Sequence, residues 1–173
     1  MKPGDILAYE INKDTTNYMS KLISWISRYT VGNWLGINQT SFSHVSILSR
    51  VGGYQYESTW PRGGLNYIKW NKYNVYSVKY QELTDEQRER ILNYCKDNVN
   101  KKYDWLALLT FGLFSLQGKD LCSRFVADAY LAAGIDLRKP NEYLISPNEI
   151  AHHPKMTRKI VYKDGRINDT IML

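Results

Sequence analysis

The sequence CSRFV, residues 122–126, follows the short polar loop 118–120 and has the character of the first turn of a helix that stops at Gly134. A cysteine at that position lies among backbone N–H groups without helical partners and at the positive end of the helix dipole, and both favour the thiolate. Cys122 and Val126 also have the spacing of a core stripe, so packing explains this cysteine equally well on its own. Cys122 is therefore a candidate nucleophile that needs a base.

The sequence HVSIL, residues 44–48, is typical of a strand, because a polar residue leads an apolar run rich in β-branched side chains. An imidazole at the start of a core strand is suited to activate a thiol as general base, so His44 is the candidate base. The other two histidines, His152 and His153, lie beside Pro154 at the end of a short helical segment. We interpret them as solvated or capping groups.

Glu57 is the candidate third member of the group, on the strand that follows the turn signal Gly52-Gly53. A hairpin centred on Arg50-Val51 places Glu57 directly opposite His44, with Cβ atoms about 5 Å apart. A hairpin centred on Gly52-Gly53 places it opposite Leu48, about 13 Å along the strand from His44. Both registers keep the two side chains on one face of the sheet. The alternative, a solvated glutamate on a strand, stays open.

The length of 173 residues predicts a single domain over residues 1–173, with a helical insertion at about 14–42. Hydrophobic residues make up 43%, which is enough for a globular core. The net charge of +6 comes from scattered basic residues with no long basic run, so we expect no nucleic-acid partner. Cys95 lies on the apolar stripe of a helix that Thr84 caps, and we interpret it as an inert core residue.

The N-terminal residues contain no apolar stretch long enough for a signal peptide, and no run of about 20 apolar residues predicts an integral membrane segment. Two cysteines do not suggest a disulfide framework. These features predict a cytoplasmic protein. The sequence has no glycine-rich phosphate loop, no Cys-x-x-Cys pattern and no His-Glu-x-x-His pattern, so we expect no metal and no cofactor.

Taken together, these short motifs resemble those of the permuted NlpC-type papain-like cysteine hydrolases, and most of all the YiiX/YebB-like group. The resemblance covers roughly residues 3 to 153. Papain-like enzymes usually present cysteine before histidine, and the permuted order reverses this, as here. The motifs, in chain order, are Gly4-Asp5-Ile6-Leu7, His44-Val45-Ser46-Ile47, Glu57, Tyr103-Asp104, Cys122-Ser123-Arg124-Phe125-Val126 and Ser146-Pro147.

The resemblance implies an α+β fold in which an antiparallel sheet, or half-barrel, packs against helices. It also implies that Cys122 is the nucleophile, His44 the general base and Glu57 the residue that orients the imidazole. Tyr103 and Ser123 are then the residues of the substrate-binding or oxyanion site. Unpermuted relatives often have Asp-Cys-Ser-Gly, whereas here Leu121 precedes the cysteine and Arg124 replaces the glycine.

The function implied is a thiol hydrolase that cleaves an amide, peptide or related acyl bond through a cysteine thioester, with cell-wall peptides among the substrates. One alternative is a lipid acyl hydrolase or acyltransferase resembling the lecithin-retinol acyltransferase group, which favours a second histidine where Glu57 stands. This alternative keeps a lipid surface as an open partner. Another is a papain-like scaffold that binds without catalysis. The abundant Asn, Lys and Tyr suit a bacterial or phage genome; the oligomeric state is open.

Overall fold

A computed structural model describes residues 1–11, 42–59, 61–68, 70, 73–104, 106–107, 119–139, 145–163 and 166–167. The helical insertion expected at about 14–42 lies outside these ranges except for Phe42, which belongs to a strand. The single-domain organisation over residues 1–173 stays a prediction.

The described strands fall into one large sheet and one short ladder. The strands of the large sheet are β1 (Ile6–Ile11), β2 (Phe42–Leu48), β3 (Tyr54–Glu57), β4 (Gly64–Tyr67), β5 (Tyr73–Tyr80), β8 (Met156–Lys163) and β9 (Arg166–Ile167). Within the described residues these strands are antiparallel neighbours in the order β4-β3-β2-β1-β5-β8-β9. The short ladder pairs β6 (Lys102–Tyr103) and β7 (Lys119–Asp120) in parallel.

The central strands are apolar on both faces because both faces are covered. On β1, Ile6 and Ala8 belong to the larger core cluster, whereas Leu7 and Tyr9 belong to a second cluster on the opposite face. This explains why the sequence of β1 is almost continuously apolar instead of alternating. The larger cluster includes residues of all three helices described below, so the helices cover one face of the sheet.

Three helices are described: α1 (Asp85–Asn98), α2 (Cys122–Ala132) and α3 (Pro147–Ala151). Capping boxes begin α1 and α3, and α2 packs against both α1 and β2. The turn after α2 contains Gly134 with φ of +80°, a conformation that favours glycine and ends the helix as expected. No helix in the described part of the chain is long and apolar enough to cross a membrane.

The fold class is therefore confirmed at its coarser level: the protein is α+β, with an antiparallel half-barrel sheet packed against helices. The strand predicted at residues 44–48 and the strand predicted to carry Glu57 are present as β2 and β3. Strands β4, β6, β7 and β9 were not anticipated, because segments of two to four residues are too short to show a period.

Candidate active site

The register of the β2–β3 hairpin decides how His44 and Glu57 meet. Ile47 pairs with Tyr56 and Leu48 with Gln55, so the next position along β3 places Glu57 opposite Ser46. Both registers considered from the sequence are therefore wrong, because the hairpin is centred between them. Both registers kept the His44 and Glu57 side chains on one face of the sheet, and this is correct. His44 and Ser46 point to the same face of β2, and Glu57 lies diagonally across from His44.

The loop of the hairpin accounts for this intermediate register. The Tyr54 N–H donates to the carbonyl of Val51 and the Ser49 N–H donates to the carbonyl of Tyr54, which leaves a four-residue loop over residues 50–53. Gly53 has φ of +76°, as the third residue of a type II turn requires. The glycine pair thus forms the turn, but one residue closer to β3 than the centre of the hairpin.

His44 and Glu57 are in direct contact. The His44 Nε2 atom lies 2.7 Å from the Glu57 Oε2 atom, and their side chains are 23% and 3% exposed. Because an ionised carboxylate can only accept hydrogen bonds, Nε2 carries the proton in this contact. The other ring nitrogen, Nδ1, is then left to serve the thiol. The solvated-glutamate interpretation is wrong for Glu57, because its side chain is buried.

Two amide side chains also hold the Glu57 carboxylate. The Gln55 Nε2 atom donates to Oε2 over 3.2 Å, and the Asn66 Nδ2 atom donates to Oε1 over 3.0 Å. Asn66 reaches the site because β4 folds tightly back on β3 after Gly63, where an added Cβ would lie only 2.8 Å from the Glu57 carbonyl oxygen. Both carboxylate oxygens are thus engaged by donors.

Cys122 is the first residue of α2, as the sequence predicts. The N-cap residue is Leu121, whose side chain has no atom that can accept a hydrogen bond from the first turn. The first helical hydrogen bond runs from the Phe125 N–H to the Leu121 carbonyl. The first turn also carries no acidic residue, so its N–H groups are not occupied by a capping side chain.

Backbone contacts of Asp120 place the start of α2 beside the end of β3. The Ser58 hydroxyl donates to the Asp120 carbonyl over 3.2 Å, and the Asp104 N–H donates to the same oxygen over 2.9 Å. The Asp120 carboxylate in turn accepts from the Leu121 N–H. Burial, with the nearby Asp128 charge, raises the pKa of Asp120 to about 6. The segments that contain Ser58, Asp104 and Asp120 therefore meet at the start of α2, and their contacts fix the position of the Cys122 thiol.

The Cys122 side chain lies close enough to the His44 ring to affect the pKa of the imidazole. Burial by itself lowers the pKa of His44, but the interactions with Cys122 and with Glu57 outweigh that effect and raise the pKa to about 10. The group is thus electrostatically suited to a thiolate–imidazolium pair. Cys122 is only 4% exposed, so the sulfur lies almost entirely below the surface.

The two residues expected near the reacting centre lie in the same region. Tyr103 is buried with Leu121 in a small apolar cluster, and burial followed by the nearby charge of Cys122 raises its pKa. Its phenol therefore stays protonated and able to donate a hydrogen bond. Ser123 is the second residue of α2 and is buried. All five predicted site residues thus belong to elements that meet at the start of α2.

The remaining cysteine and histidines match their interpretations as structural residues. Cys95 lies in the middle of α1 within the larger core cluster, and burial raises its pKa. His152 is the C-cap residue of α3, and its Nδ1 atom donates to the Asn148 carbonyl over 2.9 Å. Burial lowers the pKa of both His152 and His153.

Sequence reasoning missed Gln55 and Asn66. The alternation of β3 does place Gln55 on the same face as Glu57, and this signal was available from residue spacing alone. Asn66 had no such signal, because it lies on the short strand β4 that was not anticipated.

No family model matches the chain, and no curated protein compared with it matches either. The chemistry of this site is therefore inferred from the arrangement of its side chains.

Proposed function

We propose that the protein is a thiol hydrolase of the permuted NlpC-type papain-like kind, which cleaves an amide, peptide or related acyl bond through a thioester on Cys122. The observation that carries the proposal is the 2.7 Å contact of His44 Nε2 with Glu57 Oε2, together with the nearness of Cys122, which raises the pKa of the same ring. The three residues come from α2, β2 and β3, and under the proposal they act as nucleophile, base and orienting carboxylate.

Acylation begins from the thiolate–imidazolium pair. The sulfur of Cys122 attacks the carbonyl carbon, and the carbonyl π electrons move onto the oxygen to form a tetrahedral oxyanion. As the C–N bond breaks, the His44 imidazolium transfers its Nδ1 proton to the leaving nitrogen, which departs as a neutral amine. The products of this step are a thioester on Cys122 and a neutral imidazole that still donates from Nε2 to Glu57.

The oxyanion needs hydrogen-bond donors, and the start of α2 provides them. The backbone N–H of Cys122 belongs to an uncapped first turn, where the positive end of the helix dipole favours negative charge. Tyr103 keeps its hydroxyl proton and lies close enough for the charge of Cys122 to affect it, so we assign it a contact with the oxyanion or with substrate. Ser123 is assigned to the same wall of the site.

Deacylation reverses the proton transfer. Neutral His44 removes a proton from water through Nδ1, and the hydroxide oxygen attacks the thioester carbonyl. The C–S bond breaks, the sulfur leaves as thiolate, and the acid product is released. Glu57 stabilises the imidazolium that forms in this step and holds the tautomer that places the proton on Nε2.

The burial of Cys122 favours a second candidate, a papain-like module that binds without catalysis. A thiol that is 4% exposed can react only if an acyl group reaches it through a narrow opening. Lipid acyl chemistry is less well supported, since Glu57 stands where the lecithin-retinol acyltransferase group has a second histidine.

A chemical trapping experiment separates these functions. The protein is incubated with small activated esters and with peptide amides, quenched in acid, and digested for mass spectrometry. We expect an acyl group on the peptide that contains Cys122, none on the peptide that contains Cys95, and release of acid product that is lost in Cys122→Ala. If no acyl group accumulates on Cys122 and no product forms, the hydrolase is excluded and the binding module is favoured.

A further inference from the structure

Gln55 is a buried amide directly behind the candidate active site. Its side chain is 1% exposed and contacts polar groups from three strands. The Oε1 atom accepts hydrogen bonds from the Tyr9 hydroxyl on β1 and from the Ser46 hydroxyl on β2, the latter over 2.6 Å. The Nε2 atom donates to Glu57 over 3.2 Å. A buried amide with this many partners is costly to disturb.

The chemistry of these partners fixes the orientation of the amide. An ionised carboxylate only accepts hydrogen bonds, so the NH₂ end of Gln55 must face Glu57. The two hydroxyl groups of Tyr9 and Ser46 can both donate to the carbonyl end. A rotated amide would place its oxygen against the Glu57 carboxylate and would leave the NH₂ end facing the hydroxyls. The Glu57 carboxylate therefore sets which end of the amide faces it, and the two hydroxyls hold the carbonyl end in place by donating to it.

Gln55 and Asn66 restrain opposite oxygens of the same carboxylate. Asn66 donates to Glu57 Oε1, whereas Gln55 and His44 share Oε2. Because each oxygen has a donor, the carboxylate cannot rotate without breaking a buried hydrogen bond. A donor to the charged form also favours ionised Glu57 over the neutral acid.

We propose that Gln55 is a positioning residue, which holds the ionised carboxylate of Glu57 toward His44 and is itself held in place by hydrogen bonds from Tyr9 and Ser46. The proposal deepens the hydrolase function above and rests on it for catalytic consequence. The part that concerns ionisation of His44 can be measured without any substrate.

The titration of His44 is a suitable readout because its neighbours in the described part of the chain are identified. They include Cys122 from α2, Glu57 from β3, and the Tyr9 ring from β1, whose centroid lies 5.5 Å away. The chain has only three histidines, so their imidazole signals in an NMR titration are assigned with single His→Gln variants. His152 and His153 act as internal references.

The main variant is Gln55→Met, which has a similar volume but no donor for Glu57. If Gln55 positions the carboxylate, its loss weakens the Glu57–His44 contact, and we expect the pKa of His44 to fall by about one pH unit. Alkylation of Cys122 at pH 7 is expected to slow by roughly tenfold. A rise in the pKa of His44 would overturn the proposal, because it would show that Gln55 merely competes with His44 for the carboxylate.

Asn74→Leu is the matched control. Asn74 is another buried amide of the same sheet, on β5, and its Nδ2 atom donates to Glu10 over 3.2 Å. We expect this variant to leave the titration of His44 unchanged. An equal fall of the His44 pKa in Gln55→Met and in Asn74→Leu would assign Gln55 a general structural role and overturn the proposal.

Tyr9→Phe is the milder variant if Gln55→Met does not fold, since it removes only one of the two hydroxyls that donate to the Gln55 oxygen. A smaller fall in the pKa of His44 is expected, and no fall counts against the proposal. Failure of the hydrolase function would look different, because the titration would shift as expected while no acyl group formed on Cys122 in the unmodified protein.

Discussion

Helices α1 and α2 each carry a buried cysteine, yet the structure gives the two thiols different surroundings. Cys95 lies in the middle of α1 at 0% exposure, among apolar residues, and burial raises its pKa. Cys122 lies at the first residue of α2 at 4% exposure, close enough to the His44 imidazole to raise its pKa. Burial is nearly the same for both, so position in the helix and the neighbouring base distinguish them.

The first turns of α1 and α2 also differ in their capping. Thr84 and Gln87 form a capping box at the start of α1, with Asp85 and Glu86 in the first turn, whereas the start of α2 has only the apolar Leu121. A side-chain cap stabilises a helix by using the N–H groups of its first turn. The start of α2 lacks that stabilisation, and its N–H groups can instead face a thiolate or an oxyanion. Under the proposed function, the helix without a side-chain cap is the one that carries the nucleophile.

Removal of each sulfur is the strongest test of the difference between Cys122 and Cys95. Cys122→Ala should abolish hydrolysis, with a loss of at least about 10⁴-fold in kcat/KM, because no other group replaces the nucleophile. Cys95→Ala should keep kcat/KM and lower the free energy of unfolding by about 1 kcal/mol through the small cavity it leaves. Steady-state kinetics and denaturant titration of both variants check this. Equal effects of the two variants on kcat/KM would contradict it.

Glu57→Gln tests the carboxylate that contacts His44, the candidate base beside Cys122. The amide keeps the shape of the side chain but removes its charge, and it can present an NH₂ group to Nε2 of His44, which favours the wrong tautomer. We expect a loss of roughly 10³-fold in kcat/KM and a fall in the pKa of His44, because Glu57 raises that pKa. Kinetics and the NMR titration measure the two effects. An unchanged kcat/KM would remove Glu57 from the mechanism.

Asp120→Asn tests the carboxyl that directly precedes the cap of α2. Burial raises the pKa of folded Asp120 to about 6, so the folded state holds this proton more tightly than the unfolded state does. Its contribution to stability is therefore present below about pH 4 and lost as the pH rises through about 6. Relative to the unmodified protein, the Asn variant should gain on the order of 2 kcal/mol between pH 4 and pH 7. Denaturant titrations at both pH values measure this, and a constant difference would contradict it.

Thr84→Ala produces the smallest expected change and concerns the capped helix only. Loss of the capping hydrogen bond to the Gln87 N–H should lower the free energy of unfolding by about 1 kcal/mol. The alkylation rate of Cys122 should stay the same, since the cap of α1 plays no part in the site. A changed rate at Cys122 would show that the two helix starts are coupled.

The chemistry-bearing residues could be predicted from the sequence because their signals are local. The apolar run after His44, the capping box at Thr84 and the placement of Cys122 at a helix start each depend on a few neighbouring residues. That His44 and Glu57 share a face also followed from strand alternation in either register. The coarser fold class was accessible through the family resemblance, which rests on the same short motifs.

The exact register and the contact of Asn66 could not be predicted, because they depend on loop geometry and on a short strand. A four-residue loop with Gly53 in its closing turn set a register between the two expected ones. Asn66 reaches Glu57 only because β3 and β4 pair in one register, in which Asn66 lies opposite Gln55. Sequence spacing holds no record of this pairing, whereas strand alternation alone places Gln55 on the face of Glu57.

The most direct test of an activated thiol at Cys122 is the pH dependence of its alkylation by iodoacetamide, measured by mass spectrometry with Cys95 as internal control. Interactions with Cys122 and Glu57 raise the pKa of His44 to about 10, so we expect the ring to be protonated at pH 6 and able to stabilise a thiolate there. We expect rapid labelling of Cys122 at pH 6, little labelling of Cys95, and a loss of roughly 10²-fold at Cys122 in His44→Ala. If Cys122 reacts no faster than an ordinary thiol with a pKa of about 8.5 and His44→Ala changes nothing, the thiolate–imidazolium pair does not exist.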